Sequence, residues 1–193
     1  MQLLLVRHGE SEDDLINAYG GWADFHLTNN GKLQLTETAE HILKLNINFD
    51  KILASPLFRA KESAQIISDK LNVPVEIFEY LKERNTYGLM CGMVKDEAKE
   101  KYPWLVEALE NDKYVDGSER EEDVNSRAVK AFELLKNRQE EKLIVVTHGN
   151  FLKALIPVIL NKKLIKKTDG GFILLTVSDS KSEVITQHGI EVQ

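Results

Sequence analysis

The run Leu143-Ile144-Val145-Val146-Thr147 is apolar and β-branched without a polar interruption. A strand with one wet face alternates apolar and polar residues, so an unbroken run of this kind belongs to a strand covered on both faces. That condition is met when helices pack on either side of a parallel sheet. Further strand candidates lie at residues 3–6, 51–54, 75–77, 172–177 and 183–187, with 143–147 as the fourth in chain order. Helical patterns fill the gaps at 28–45, 56–71, 94–109, 120–137 and 149–160. This alternation from end to end predicts an α/β fold, a three-layer αβα arrangement around a mostly parallel central sheet. Thr28 is placed to cap one helix and Ser55 another, with Pro56 in the first turn, where its missing N–H costs little.

The 193 residues suffice for one domain with a sizeable core. No repeat, low-complexity tract or linker divides the chain. Residues 110–123 and 88–92 read as loops, and roughly 80–116 reads as a small cap inserted over the sheet. No apolar run approaches the roughly 20 residues that span a bilayer. The first residues are too short, and too soon interrupted by Arg7 and His8, to serve as a secretory signal. The single cysteine, Cys91, excludes an internal disulfide and fits a reducing, cytoplasmic setting; between glycines it reads as a packing residue. A formal charge of −6 argues against nucleic acid as a partner, because phosphate backbones require a basic face. Positive charge, if it matters here, must be local.

It is local in three places. Val6-Arg7-His8-Gly9-Glu10, Ala54-Ser55-Pro56-Leu57-Phe58-Arg59-Ala60 and Val146-Thr147-His148-Gly149-Asn150 each carry Arg or His just after a predicted strand. Ligands of open α/β sheets bind beyond the carboxyl ends of the strands. Two histidines and two arginines therefore converge on one rim, where helix N-termini add N–H donors suited to an anion. Such a cluster suits a phosphate. No grouping of His, Cys and Asp has the spacing of a metal site, and no cofactor is implied.

These blocks, with Gly21-Trp22-Ala23-Asp24-Phe25-His26-Leu27-Thr28-Asn29-Asn30-Gly31 and Leu81-Lys82-Glu83 between them, occur in the order found in the histidine phosphatase superfamily, which the chain resembles from about residue 3 to 160. The resemblance implies that His8 is a nucleophile forming a phosphohistidine. It implies that Arg7, Arg59 and His148 hold phosphoryl oxygens, and that Glu83 protonates the leaving oxygen. The chemistry is coherent, since phosphoryl transfer rests on positioning and charge stabilisation. Two guanidiniums also keep His8 neutral and nucleophilic, whereas a bound dianion favours the protonated acid at Glu83. Tyr87 and Lys95 resemble substrate-binding residues of the mutase branch, and Gly21, Gly149 and Asn150 adjoin the phosphate site.

Two departures stand out. Asp14 occupies the position of a phosphate-binding asparagine in the family, and Ala18 that of an arginine. A carboxylate facing phosphate is repulsive, so Asp14 is expected to turn outward, with Asn17 or backbone amides in its place; the alternative is a substrate with an amine near the phosphate. The short passage from Tyr102 to Gly117-Ser118-Glu119 lacks the long arginine-bearing insertion of the mutases. The expectation is therefore a phosphatase of small phosphomonoesters, with a 2,3-bisphosphoglycerate-dependent phosphoglycerate mutase as the nearest rival. A non-catalytic phospholigand-binding protein is the rival of another class. Residues 161–167, with four lysines, read as a solvated helix end and loop. His26, His41, His188, Trp22 and Trp104 are assigned to packing or the surface. Nothing in the sequence decides whether the chain forms a homo-oligomer.

Overall fold

The computed structural model describes residues 1–178 and 181–193. Strand β4 (Lys142–Thr147) lies between β1 (Gln2–Arg7) and β2 (Lys51–Ala54) and runs parallel to both, while β3 (Val75–Ile77) extends the parallel part beyond β2. On the other side of β1 the sheet becomes antiparallel, through β5 (Leu164–Val177) and then β6 (Ser182–Val192). Among the described residues the strand order is β3-β2-β4-β1-β5-β6. The expected αβα layering and mostly parallel sheet are present. The expected end-to-end alternation of strand and helix is not, because β5 leads directly into β6. The few residues between them are too short for a parallel return, which needs a crossover of roughly a dozen residues or more. Both strands are also longer than the sequence pattern indicates.

Helices cover both faces of the sheet. Leu3 and Leu5 of β1, with Leu143 and Val145 of β4, pack against α6 (Glu121–Lys136) and α7 (Gly149–Leu160). Leu4, Val6, Ile144 and Val146 point the other way, onto α2 (Asn29–Lys44) and α3 (Phe58–Leu71). This two-sided burial is the physical reason for the apolar run in β4. No helix among the described residues is long and apolar enough to cross a membrane.

Helix boundaries depart from expectation in three places. A short helix, α1 (Glu12–Leu15), follows β1, and the Ser11 N–H donates to Asp14 Oδ2 at 3.2 Å. Thr28 caps α2 as expected, accepting from Gly31 N at 2.9 Å, but Ser55 does not cap α3. That helix starts at Phe58, whose N–H donates to Asp24 Oδ1. The pattern over 94–109 is two helices, α4 (Lys95–Lys101) and α5 (Pro103–Glu110). Tyr102, at φ −133° and ψ 54°, makes the break, since a residue before proline is disfavoured in the helical region.

The segment read as a cap has its own small core, in which Met90, Ala98, Leu105, Val106 and Val115 gather around Tyr19. Backbone bonds from Tyr19 N to Met93 O (2.9 Å) and from Gly92 N to Tyr19 O (2.7 Å) tie it to the loop after α1. A second tie comes from α6. Arg127 makes a two-pronged ion pair with Glu119, through Nε to Oε1 at 2.9 Å and Nη2 to Oε2 at 2.8 Å. It also donates to the carbonyls of Tyr80 (2.9 Å), Lys82 (2.6 Å) and Glu83 (3.2 Å). Both side chains of the pair are largely buried. Removing one partner of such a pair leaves the other charge and several carbonyls unsatisfied. We expect Arg127→Ala to cost about 3 kcal/mol of stability, seen as a lower urea midpoint at unchanged slope. A loss well under about 1 kcal/mol would mean that the clasp contributes no more than a surface ion pair.

Candidate active site

Parallel pairing in register, with Arg7 opposite Thr147, ends β1 and β4 at the same level of the sheet. His8 and His148 leave the two strands side by side, their ring centroids 4.9 Å apart. The His8 N–H continues the ladder to Thr147 O at 3.0 Å, and its carbonyl accepts from Gly170 N at 3.1 Å. Held on both sides, the backbone leaves the imidazole little freedom. Nδ1 lies 2.7 Å from Gly9 O. A carbonyl only accepts, so Nδ1 carries the proton and Nε2 keeps its lone pair. Burial, and then the charges of Arg59 and Arg7, hold the His8 pKa well below the ordinary histidine value. His148 is fully buried, and its Nε2 lies 2.7 Å from Ser55 Oγ. Its pKa is also pushed well down, first by burial and then by Arg59 and His8. Ser55, expected as a helix cap, is instead the partner of this second histidine.

Arg59, in the first turn of α3, is 2% exposed. Its Nη1 donates to Ala23 O at 2.9 Å and its Nη2 to Gly21 O at 2.8 Å. Gly21 presents that carbonyl from a left-handed φ of +54°, and a Cβ there would lie 2.6 Å from Cys91 Sγ. Glycine answers both constraints. Arg7 is braced by β5, with Nη2 2.9 Å from Asp169 Oδ1 and Nη1 donating to Lys167 O at 3.0 Å. Its Nε is buried with no hydrogen-bond partner among the described residues. Both guanidiniums are thus fixed by the protein before any ligand binds.

Glu83 is 8% exposed. Its Oε1 accepts from Arg84 N and Phe151 N, both at 2.8 Å, and its Oε2 from Asn150 N at 3.2 Å. The carboxylate therefore caps the first turn of α7, whose dipole presents its positive end there. Its carbonyl accepts from Trp22 Nε1 at 2.6 Å as well as from Arg127. Trp22, assigned to packing, thus also orients the acidic residue.

These groups surround a cavity of about 300 Å³. Of the residues singled out in the sequence, Arg7, His8, Gly21, Arg59, Glu83, Tyr87, Lys95, Gly149 and Asn150 line it. His148 is not among the lining residues; it is fully buried and packs against His8. Asp14, expected to turn outward, lines the cavity instead, its carboxylate accepting from the Ser11 N–H, and Asn17, expected in its place, is not among the lining residues. Asp13 joins the wall, accepting from Ser11 Oγ at 2.5 Å. Sequence reasoning missed Asp13 and Lys167. Lys167 had been placed in a solvated basic stretch, but that stretch runs into β5 and this one lysine reaches the cavity. Cys91 is a packing residue as expected, with Sγ 2.9 Å from Asn85 Oδ1 and a thiol pKa raised by burial. Among the described residues, no group of three or more His, Cys, Asp or Glu is placed to hold a metal ion.

The chain is 33% identical over 168 residues to a 2,3-bisphosphoglycerate-dependent phosphoglycerate mutase of Bradyrhizobium sp. (strain BTAi1), covering 81% of this chain and 80% of that protein. It is 31% identical over 156 residues to a Bacillus subtilis protein named as the uncharacterized phosphatase PhoE, covering 80% of this chain and 75% of that one. In fold it superimposes on the alpha-ribazole phosphatase of Shigella flexneri with a TM-score of 0.82 at 21% identity, covering 97% and 96% of the two chains. The family model of the histidine phosphatase superfamily (branch 1) matches residues 3–174. With His8, two braced arginines and a buried carboxylate around one cavity, His148 packed against His8, and that match over most of its length, the chain belongs to the histidine phosphatase superfamily.

Proposed function

We propose that this protein hydrolyses small phosphomonoesters through a phosphohistidine on His8. The reading rests on a buried, neutral imidazole whose Nδ1 is committed to Gly9 O, so that Nε2 is the nucleophilic atom. Nε2 attacks phosphorus, and Arg7 and Arg59 stabilise the charge on the equatorial oxygens. The bond to the leaving oxygen breaks, and Glu83 delivers the proton that makes it a free hydroxyl. His148 Nε2 lies 2.7 Å from Ser55 Oγ, and its Nδ1 has no partner among the described residues; in this mechanism the Ser55 hydroxyl donates to Nε2 and the proton sits on Nδ1. That N–H is the donor assigned to a phosphoryl oxygen carried on His8. Water then attacks phosphorus, the N–P bond breaks, and Glu83 takes the proton from the water. Gly21, Tyr87, Lys95, Gly149 and Asn150 contact the rest of the substrate, and residues 80–116 act as the cap over it.

One observation favours hydrolysis over transfer within a bisphosphate. The cavity wall carries Arg7, Arg59, Lys95 and Lys167 against Asp13, Asp14 and Glu83, four cations against three carboxylates, a formal +1 with His8 neutral and Glu83 ionised, and +2 once Glu83 carries its proton. A mutase must retain a bisphosphate of several negative charges while its histidine waits, and so weak an excess of positive charge retains it poorly. The mutase relatives make transfer the second reading. Phosphorus NMR on the protein with 3-phosphoglycerate and a panel of small phosphomonoesters, in EDTA, separates the two. Growth of inorganic phosphate is expected; conversion to the 2-isomer with little free phosphate would make the protein a mutase, and a metal requirement would contradict the mechanism.

His8→Ala should lower turnover by roughly 10⁴-fold or more, as loss of a nucleophile does. Unchanged turnover would sink the phosphohistidine. Glu83→Gln should cost about 10²–10⁴-fold on alkyl phosphates, and much less on p-nitrophenyl phosphate, whose leaving group needs no proton. Equal losses on both would remove Glu83 from the acid role.

The lowered pKa values of His8 and His148 set a pH dependence for stability. As pH falls below the ordinary histidine value of 6.5, the unfolded chain takes up protons that the folded chain refuses. Stability therefore declines from there downward, until the folded-state values are reached. The wild-type melting temperature should fall between pH 6.5 and about 5, and the fall should be shallower in His8→Gln/His148→Gln. Parallel curves would show that these histidines are not held neutral. Activity, by contrast, should persist below pH 6.5, because the nucleophile stays unprotonated.

A further inference from the structure

Among the lysines of residues 161–167, Lys167 alone lines the cavity. Lys166 points to solvent and pairs with Glu191 at 2.8 Å. Lys167 lies on the opposite face of β5, just before the strand loses register, since it pairs with Ile190 and the next paired residue is Phe172, opposite Gly189. Its side chain runs across the start of α7. A Cβ on Gly149 would lie 2.8 Å from Lys167 Nζ, 2.9 Å from Cδ and 3.0 Å from Cε. The absence of a side chain at Gly149 gives the stem this path; a Cβ there would make the lysine shift. Nζ donates to Asn150 Oδ1 at 3.0 Å, a neutral acceptor, and no carboxylate lies within ion-pair distance of it among the described residues. The Lys167 carbonyl holds Arg7, so ammonium and guanidinium are set by the same residue.

An ammonium taken partly out of water without a counter-ion is costly, and a site built to hold one is a site for an anion. We propose that Lys167 Nζ is a third cation for the phosphoryl group, donating to one of its oxygens from the side of Asn150 and Glu83, between the arginines and the leaving group. Burial lowers the Lys167 pKa, with Glu83 opposing and Arg7 adding to the shift, which agrees with a charge left for the ligand to complete. The inference rests on the cavity being a phosphoryl site, and the residue's place in a basic, outwardly solvated stretch concealed it from sequence reasoning.

The test is the affinity of the full chain for inorganic phosphate and orthovanadate, measured by calorimetry without turnover. Lys167→Met keeps the stem over Gly149 and removes only the charge. We expect its Kd for both anions to rise about 10- to 100-fold, the weight of one charge-assisted hydrogen bond, with an unchanged melting temperature, and Lys167→Arg to recover most of the loss. If Lys167→Met melts markedly lower, Lys167→Gln takes its place, judged by the same rise in Kd. Equal affinities in wild type and Lys167→Met would overturn the proposal. Wild type that binds the anions yet hydrolyses no phosphomonoester would refute the phosphatase reading while leaving Lys167 judged by its own variant. Wild type that binds neither anion overturns both.

Discussion

The pairing of β1 with β4 is the constraint on which the rest of this molecule depends. Because the strands run parallel and in register, both end at one rim, and the residues that follow them are the two histidines. An antiparallel pairing would put them at opposite ends of the sheet. The same geometry directs the turn after β2 to that rim, bringing Ser55 to His148 and, through the start of α3, Arg59 to the cavity. The central strands β1, β2 and β4 are buried on both faces, so the positions of the groups that follow them are inherited from the packing.

Around this rim, charge and burial oppose each other in a useful way. Both histidines lie in a cationic, water-poor setting that favours their neutral forms. The arginines responsible are spent largely on backbone carbonyls and on Asp169, and Glu83 is spent on the N–H groups of α7. Arg7, Arg59, Glu83 and His148 are thus each held by elements remote from them in sequence, whereas the His8 imidazole is held by the adjacent Gly9 carbonyl. On the function proposed here, a phosphoryl group entering this site would find its donors already oriented, which is where preorganisation gains its advantage over water.

Much of this was legible in the sequence for identifiable reasons. The strands could be read because burial on both faces leaves unbroken apolar runs, and Thr28 could be read as a cap because its hydroxyl serves its own helix. His8, Arg59 and His148 could be read because each directly follows a strand or opens a helix. Ser55 looked like a cap by the same local logic, yet its hydroxyl answers a histidine 93 residues away. Lys167 looked solvated because its neighbours are, and Arg127 sat unremarked on an amphipathic helix. No local pattern separates a lysine in water from one laid across a distant glycine.

By itself the sequence determined the α/β class, the strands and most helices, and two histidines and two arginines at element ends, because these follow from periodicity and from residue type at those ends; Glu83 was named only through the resemblance to the histidine phosphatases. Only the tertiary structure decided that the last two strands form an antiparallel pair, that Asp169 and Lys167 brace Arg7, that Arg127 clasps the segment carrying Glu83, and that His148 packs against His8 with Ser55 at its Nε2. These are contacts between residues far apart in the chain. Their energies depend on distance and burial, which exist only once the layers have packed.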